Sequence, residues 1–226
     1  MKVIAINGAA RKNGNTTALL KAALDGAASA GAETKLVNLY DLNYKGCTGC
    51  VACKRLNSKS FGHCAQRDDI TDILEECINA DAVFFGSPIY FSEVTGQLRS
   101  FLERFWFPNI TYTKDMKKTY PKQIRTGWFF TTNAPLETYA GWFNQQNMTA
   151  FFLTGPSMWM AATETLQFDD YSKYAADMFD AAARKRRHEE VFPEDCKKAF
   201  EMGKNLASPG YEIKPDLSSL PPMPKP

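Results

Sequence analysis

Two short stretches of this chain combine residue types and spacings that could do chemistry. The first is Asn7-Gly8-Ala9-Ala10-Arg11-Lys12-Asn13-Gly14-Asn15-Thr16-Thr17. It follows the apolar run Val3-Ile4-Ala5-Ile6 and leads into an apolar-periodic segment from Ala18 to Ala28. Strand, polar glycine-bearing loop and helix together make an anion cradle. Gly8 and Gly14 allow tight turns and close backbone approach. Asn15, Thr16 and Thr17 stand where the helix begins, so their N–H groups and the helix dipole favour a phosphate. Arg11 and Lys12 add positive charge. Neither Gly-x-x-x-x-Gly-Lys-Ser/Thr nor Gly-x-Gly-x-x-Gly is present, which sets aside the commonest nucleotide loops. An ordinary helix start after a strand is the bland alternative.

The second stretch is Cys47-Thr48-Gly49-Cys50-Val51-Ala52-Cys53, followed by Cys64. C-x2-C-x2-C brings three thiolates around one point, as iron–sulfur clusters require, and Cys64 offers a fourth ligand for a [4Fe–4S] cluster. Gly46, Gly49 and Gly62 permit the turns. A metal-free thiol loop fits the same pattern. Zinc fits less well, because this spacing crowds three ligands. The long Cys53–Cys64 gap, with Lys59-Ser60-Phe61-Gly62-His63, reads either as a surface bulge or as a motif that has lost its metal. Cys77 and Cys196 fall on apolar helix faces, which suits core packing.

The rest of the chain must position these stretches. Its 226 residues suffice for one α/β domain with an insertion. A net charge of +2 gives no electrostatic case for nucleic acid or an acidic membrane. The run Arg184-Lys185-Arg186-Arg187-His188 reads as a solvated helix end. No apolar run is long enough for a membrane span, and the early charged loop does not suit a signal peptide. A cytoplasmic protein is expected. Strands are expected at Val3–Ile6, Thr34–Leu39, Ala82–Phe85, Gly127–Thr131 and Ser157–Thr163. Helices are expected at Thr16–Ala30, after an Asp68-Asp69 cap, from Val94 through Phe105, and over Thr138–Leu153, Tyr171–His188 and Pro193–Ala207. Residues 44–67 form the cysteine loop and 107–124 a polar insertion. Residues 1–207 make the domain, and 208–226 a Pro-rich arm without periodicity.

Five strands alternating with helices imply a doubly wound parallel sheet with helices on both faces. Ligands of such sheets bind at the carboxyl ends of the strands. Those ends are small and polar here: Asn7-Gly8, Gly86-Ser87-Pro88 and Thr131-Thr132-Asn133. With the nucleotide loops set aside, a flavodoxin-like order 2-1-3-4-5 with FMN on the Asn/Thr-rich loop is the remaining common choice.

At this point the chain resembles the flavodoxin-like NAD(P)H-dependent FMN reductase and iron–sulfur flavoprotein superfamily. Three stretches carry the likeness. They are the phosphate loop, Gly86-Ser87-Pro88-Ile89-Tyr90-Phe91 running to Leu98–Arg104, and the cysteine run with Asp68-Asp69. Asp170-Tyr171-Ser172-Lys173-Tyr174 is similar to one branch less specifically. Ala9 and Ala10 stand where the family has Ser and Pro, so one hydroxyl donor is missing. The resemblance implies FMN, with Ala9, Arg11, Asn13, Asn15, Thr16 and Thr17 around its phosphate. Pro88, Ile89, Tyr90 and Phe91 would border the ring, and Thr132 and Asn133 would complete the pocket. It also implies NAD(P)H as hydride donor to a quinone, flavin or other small acceptor. The alternative it offers is electron carriage from ferredoxin through a cluster on Cys47, Cys50, Cys53 and Cys64. No catalytic side chain is named, since hydride reaches the flavin directly. The aromatic trio Phe105-Trp106-Phe107 suggests a homodimer or homotetramer interface, unless residues 108–124 cover it.

Overall fold

The computed structural model describes residues 1–213. Its strands are β1 (Lys2–Asn7), β2 (Glu33–Asn38), β3 (Ala82–Pro88), β4 (Arg125–Thr132) and β5 (Ser157–Thr163). Its helices are α1 (Asn15–Ser29), α2 (Thr71–Asn79), α3 (Gly96–Asn109), α4 (Leu136–Leu153), α5 (Ala181–Glu190) and α6 (Phe192–Ala207). All the strands pair in parallel, in the order β2-β1-β3-β4-β5. This is the expected flavodoxin-like α/β sheet.

Side chains alternate across a strand, so a sheet covered on both faces needs apolar residues at every position. Ile4, Ile6, Val83, Phe85, Trp128 and Phe130 face the layer of α2, α3 and α4. Val3, Ala5, Ala82, Phe84 and Phe129 face α1 and α6. The α1–α6 contact is close because both helices present glycine. A Cβ on Gly26 would lie 1.9 Å from the Phe200 carbonyl oxygen, and one on Gly203 would lie 2.0 Å from that of Ala23.

Four expectations are corrected. First, Asp68-Asp69 does not cap α2, whose N-cap is Ile70. One oxygen of Asp68 accepts from the Ile70 amide and the other bonds Arg104. Second, α3 continues to Asn109, past Pro108 in its last turn, so the insertion begins at 110. Third, Phe105 and Trp106 belong to the chain's own core, against Phe85, Trp128 and Tyr120. Asn109 ties the covering segment down, accepting from the Thr119 and Tyr120 amides at 3.0 and 2.9 Å. Fourth, the Tyr171–His188 helix is replaced by a short turn at Tyr171–Lys173 and by α5. Two aspartates divide the segment: Asp170 caps the turn, and Asp180 caps α5 by accepting from the Ala183 amide at 2.9 Å. Phe168, just before Asp170, stacks on Tyr174 at 4.2 Å, with Tyr171 edge-on. Of the expected arm 208–226, residues 214–226 lie outside the described residues. Its start is pinned by Arg125, which donates to the carbonyls of Leu206, Ser208 and Tyr211.

Candidate functional site

The cradle is built on Asn7, the buried last residue of β1. Its amide donates to Thr17 Oγ1 and to Asn38 Oδ1, both at 2.9 Å, and its Oδ1 accepts from the Ala9 amide at 3.0 Å. Gly8 donates to the Gly86 carbonyl at 2.8 Å, and a Cβ there would meet Leu98 Cβ at 2.8 Å. Thr17 also donates to the Arg11 carbonyl at 3.1 Å, so its hydroxyl shapes the loop from behind. Thr16 pairs with Thr131 across the strand ends at 2.8 Å. No side chain caps α1. The amides of its first turn are therefore left for a ligand, which is the arrangement a phosphate needs.

Beside this cradle the ends of β3 and β4 open a cavity of about 540 Å³. That volume is in the range of cofactor sites. Arg11, Asn15, Pro88, Ile89, Tyr90, Thr132 and Asn133 all line it. A smaller pocket joins Ala9, Arg11, Asn15 and Thr16 to Pro88 and Tyr90. Asn13 lies in an adjoining cavity of about 370 Å³ with His188. Ten of the twelve residues expected around FMN thus line one connected region. Thr17 stands behind it, and Phe91 does not line it. Phe91 is fully exposed and left-handed, at φ 52°, followed by Ser92 at φ 61°. The two form a tight turn closed by mutual Tyr90–Glu93 backbone bonds at 2.9 and 3.1 Å.

The far wall of the cavity escaped sequence reasoning. It comes from Tyr139 of α4, from Leu166 and Gln167, and from Met178, Phe179 and Arg184. The segment after β5 crosses the phosphate loop as a strap. Arg11 donates to the Gln167 carbonyl at 2.6 Å, and Asn15 donates to that of Leu166 at 2.9 Å. Arg184 donates to the Asn133 carbonyl at 3.0 Å and stacks on Phe179. The two capping aspartates were the available signal that this segment is not one helix.

The four loop cysteines line a second, small cavity against Glu103, Arg104, Phe107 and Pro108 of α3. The long gap before Cys64 is a surface bulge, closed by the Gly62 amide donating to the Cys53 carbonyl at 3.0 Å. Cys47 and Cys50 are exposed, Cys53 is buried and Cys64 half-buried, all four as free thiols. Burial pushes the Cys53 thiol up; the Lys54 charge opposes this, and the other three cysteines add to it. Among the described residues, no three His, Cys, Asp or Glu side chains converge on a position for one metal ion. A four-iron cluster presents separate iron corners, so its thiolates stand farther apart than the ligands of one ion. The donor set, four cysteines on one cavity, fits such a cluster. Cys77 is buried in the core and Cys196 half-buried on α6, and neither lines this cavity. No described helix is long and apolar enough to cross a membrane.

Comparison with known proteins agrees with this geometry. An iron–sulfur flavoprotein of Methanocaldococcus jannaschii is 40% identical over 104 residues, covering 46% of this chain and 51% of the relative. An iron–sulfur flavoprotein of Archaeoglobus fulgidus is 38% identical over 104 residues, 46% of this chain and 48% of the relative. The matched stretch thus spans about half the length of these curated relatives. The NAD(P)H:quinone oxidoreductase from Methanothermobacter marburgensis superposes with a TM-score of 0.62 over 91% of this chain and 96% of that one. Its identity is 15%, so the likeness is one of fold. The sequence model for NADPH-dependent FMN reductases matches residues 1–122, more than half of the chain, and the protein belongs to that family.

Proposed function

We propose that the protein binds FMN in the strand-end cavity and works as an NAD(P)H-dependent oxidoreductase on a small acceptor such as a quinone or a flavin. One observation carries this: an uncapped helix start and the polar ends of β3 and β4 meet at one cavity of cofactor size. Bound FMN would supply the redox chemistry. The chain's part is to bind and orient. The first-turn amides of α1 and Arg11 would hold the phosphate. Pro88, Ile89 and Tyr90 would border the ring, with Thr132 and Asn133 completing the pocket. Tyr139, Leu166 and Phe179 exclude water from the far wall. Arg11 and Asn15 must exchange their strap carbonyls for the phosphate, or share them with it. The test is anaerobic. Purified protein releases FMN on denaturation or takes it up at micromolar concentration, and NADH or NADPH bleaches the bound flavin rapidly. Protein that neither holds nor takes up FMN refutes the proposal.

A second reading is favoured by the four cysteines on one cavity and by the names of the relatives. In it the cysteines hold a [4Fe–4S] cluster that passes electrons from a ferredoxin to FMN. Brown anaerobic protein containing iron and acid-labile sulfide supports it. Intact FMN with no iron, even after reconstitution, leaves the NAD(P)H reading alone. We also propose a cytoplasmic homo-oligomer. With the Phe105-Trp106 cluster buried, that proposal rests on the exposed Tyr90, Phe91 and Met178 near the cavity mouth. A monomer mass by light scattering at all concentrations refutes it.

A further inference from the structure

Arg104 is the most completely enclosed cation at the cysteine site. Its side chain has no exposed surface, so each N–H group must find a partner inside. The partners all come from the cysteine loop and its end. Nη1 donates to Asp68 Oδ2 at 2.5 Å and to the Lys45 carbonyl at 3.1 Å. Nη2 donates to the Gln66 carbonyl at 3.4 Å. Nε donates to Cys64 Sγ at 3.3 Å. The guanidinium thus has one edge on a carboxylate and its inner Nε–H on a sulfur.

The neighbouring cation is used differently. Lys54 donates to the carbonyls of Phe107, Pro108 and Ile110 at the end of α3 and lies over the Phe107 ring. It anchors the bulge and bonds no sulfur. The nearby carboxylate Glu103 accepts from the Cys47 amide at 3.0 Å. Arg104 is therefore the side chain whose donor reaches a loop thiol directly.

We propose that Arg104 is a positioning residue of the cysteine site. It holds Cys64 in place as the fourth ligand and, by donating to its sulfur, favours the reduced form of a cluster bound there. This rests on the cluster reading above. The physical ground is general. A four-thiolate cluster is an anion, and one-electron reduction adds a further negative charge. A buried N–H donor and positive charge at a ligating sulfur stabilise the more negative form. Asp68 limits the effect by neutralising the far side of the guanidinium. A purely structural arginine would pin the loop without moving the reduction equilibrium.

The experiment compares anaerobically reconstituted wild type with Arg104→Lys and Asp68→Asn. It measures iron, sulfide and FMN per chain, and follows the cluster and the flavin separately in redox titrations by electron paramagnetic resonance and absorbance. Lysine keeps the charge but cannot reach the sulfur and the other partners together. The expected result for Arg104→Lys is full iron and a reduction equilibrium about tenfold less favourable, a potential about 59 mV lower, with the FMN potential unmoved. Asp68→Asn leaves Arg104 on Cys64 without its counter-charge and shifts the cluster the opposite way, which gives a reading should Arg104→Lys fail to fold. A folded, iron-replete variant of either kind with an unmoved cluster potential overturns the proposal. A folded, FMN-replete Arg104→Lys protein that no longer loads iron supports the positioning of Cys64, and Asp68→Asn then decides the effect on the potential. Wild type that loads no iron refutes the cluster reading itself, and this assignment falls with it.

Discussion

Replacing Asn7 by Ala tests whether the cradle is held from behind. Asn7 contacts no cavity, yet it joins β1, β2, the phosphate loop and α1 through three hydrogen bonds. The Ala9 amide, buried under the loop, loses its acceptor, and Thr17 and Asn38 each lose a donor. An orphaned buried amide costs about 1–3 kcal/mol and each lost bond about 1 kcal/mol, so Asn7→Ala should destabilise by about 3–5 kcal/mol. Asn38→Ala removes one of the same bonds at a half-buried site and should cost about 1 kcal/mol. The loop consequence is separable from stability. With Ala9 and Thr17 released, the first turn of α1 no longer stands fixed against Arg11. FMN affinity should fall at least tenfold, each factor of ten being about 1.4 kcal/mol. Urea unfolding followed by tryptophan fluorescence gives the first quantity, and quenching of FMN fluorescence on binding gives the second. Asn7→Ala within 1 kcal/mol of wild type, with unaltered FMN affinity, would refute the reasoning that this side chain organises the cradle.

Other substitutions probe separate parts of the argument. Ser92→Gly relieves one of two adjacent left-handed residues and should stabilise by about 0.5–1 kcal/mol in urea unfolding, after allowing for glycine entropy. Gly203→Ala drives a Cβ into the Ala23 backbone and should destabilise by about 3 kcal/mol, the upper end for overpacking, because neither helix backbone can yield. Cys77→Ser should cost about 1–3 kcal/mol in the same assay while leaving FMN and iron content unchanged, because Cys77 is core and not ligand. Bonds from Lys35 hold Glu76 below the usual carboxylate range, and the bond from Lys122 does the same for Asp81. Their contribution is present above the unfolded values, about 4.3 and 3.9, and is lost as pH falls through the lower folded values. The Glu76→Gln, Asp81→Asn double variant should therefore show a shallower acid limb in a stability–pH profile, and only a small loss at neutral pH since both pairs are largely solvated.

What could be read from the sequence follows from how local each signal is. The three central strands, β1, β3 and β4, lie where both faces are buried, so their apolar runs are nearly unbroken and mark themselves. Their ends turn small and polar at Asn7-Gly8, Gly86-Ser87 and Thr131-Thr132, and a Cβ on Gly8 or Gly86 would collide with Leu98 or Leu20. That change is visible without any tertiary information. The roles within the loop were less legible. Thr17 and Thr16 are neighbours of similar type, yet one bonds Asn7 and Arg11 and the other Thr131, a distinction set by helix phase and by a partner 115 residues away. The trio Phe105-Trp106-Phe107 looked like spare apolar surface because its cover, Thr119 and Tyr120, is polar by composition. Asn109 fixes that cover through its own side chain, which no periodicity reports. The strap after β5 was hidden for a related reason. Its aromatics at 168, 171, 174 and 179 have near-helical spacing, but they stack on one another, and Asp170 and Asp180 each begin a new local structure. The cavity wall that the sequence concealed is thus made partly by aromatics that pair locally outside helical register and partly by carbonyls held by Arg11 and Asn15, 156 and 151 positions earlier. Arg104 shows the limit from the other side. An arginine on an apolar helix face looks like an exception to its pattern. Its meaning appears only when Lys45, Cys64, Gln66 and Asp68, 36 to 59 positions earlier, are seen to fold around it.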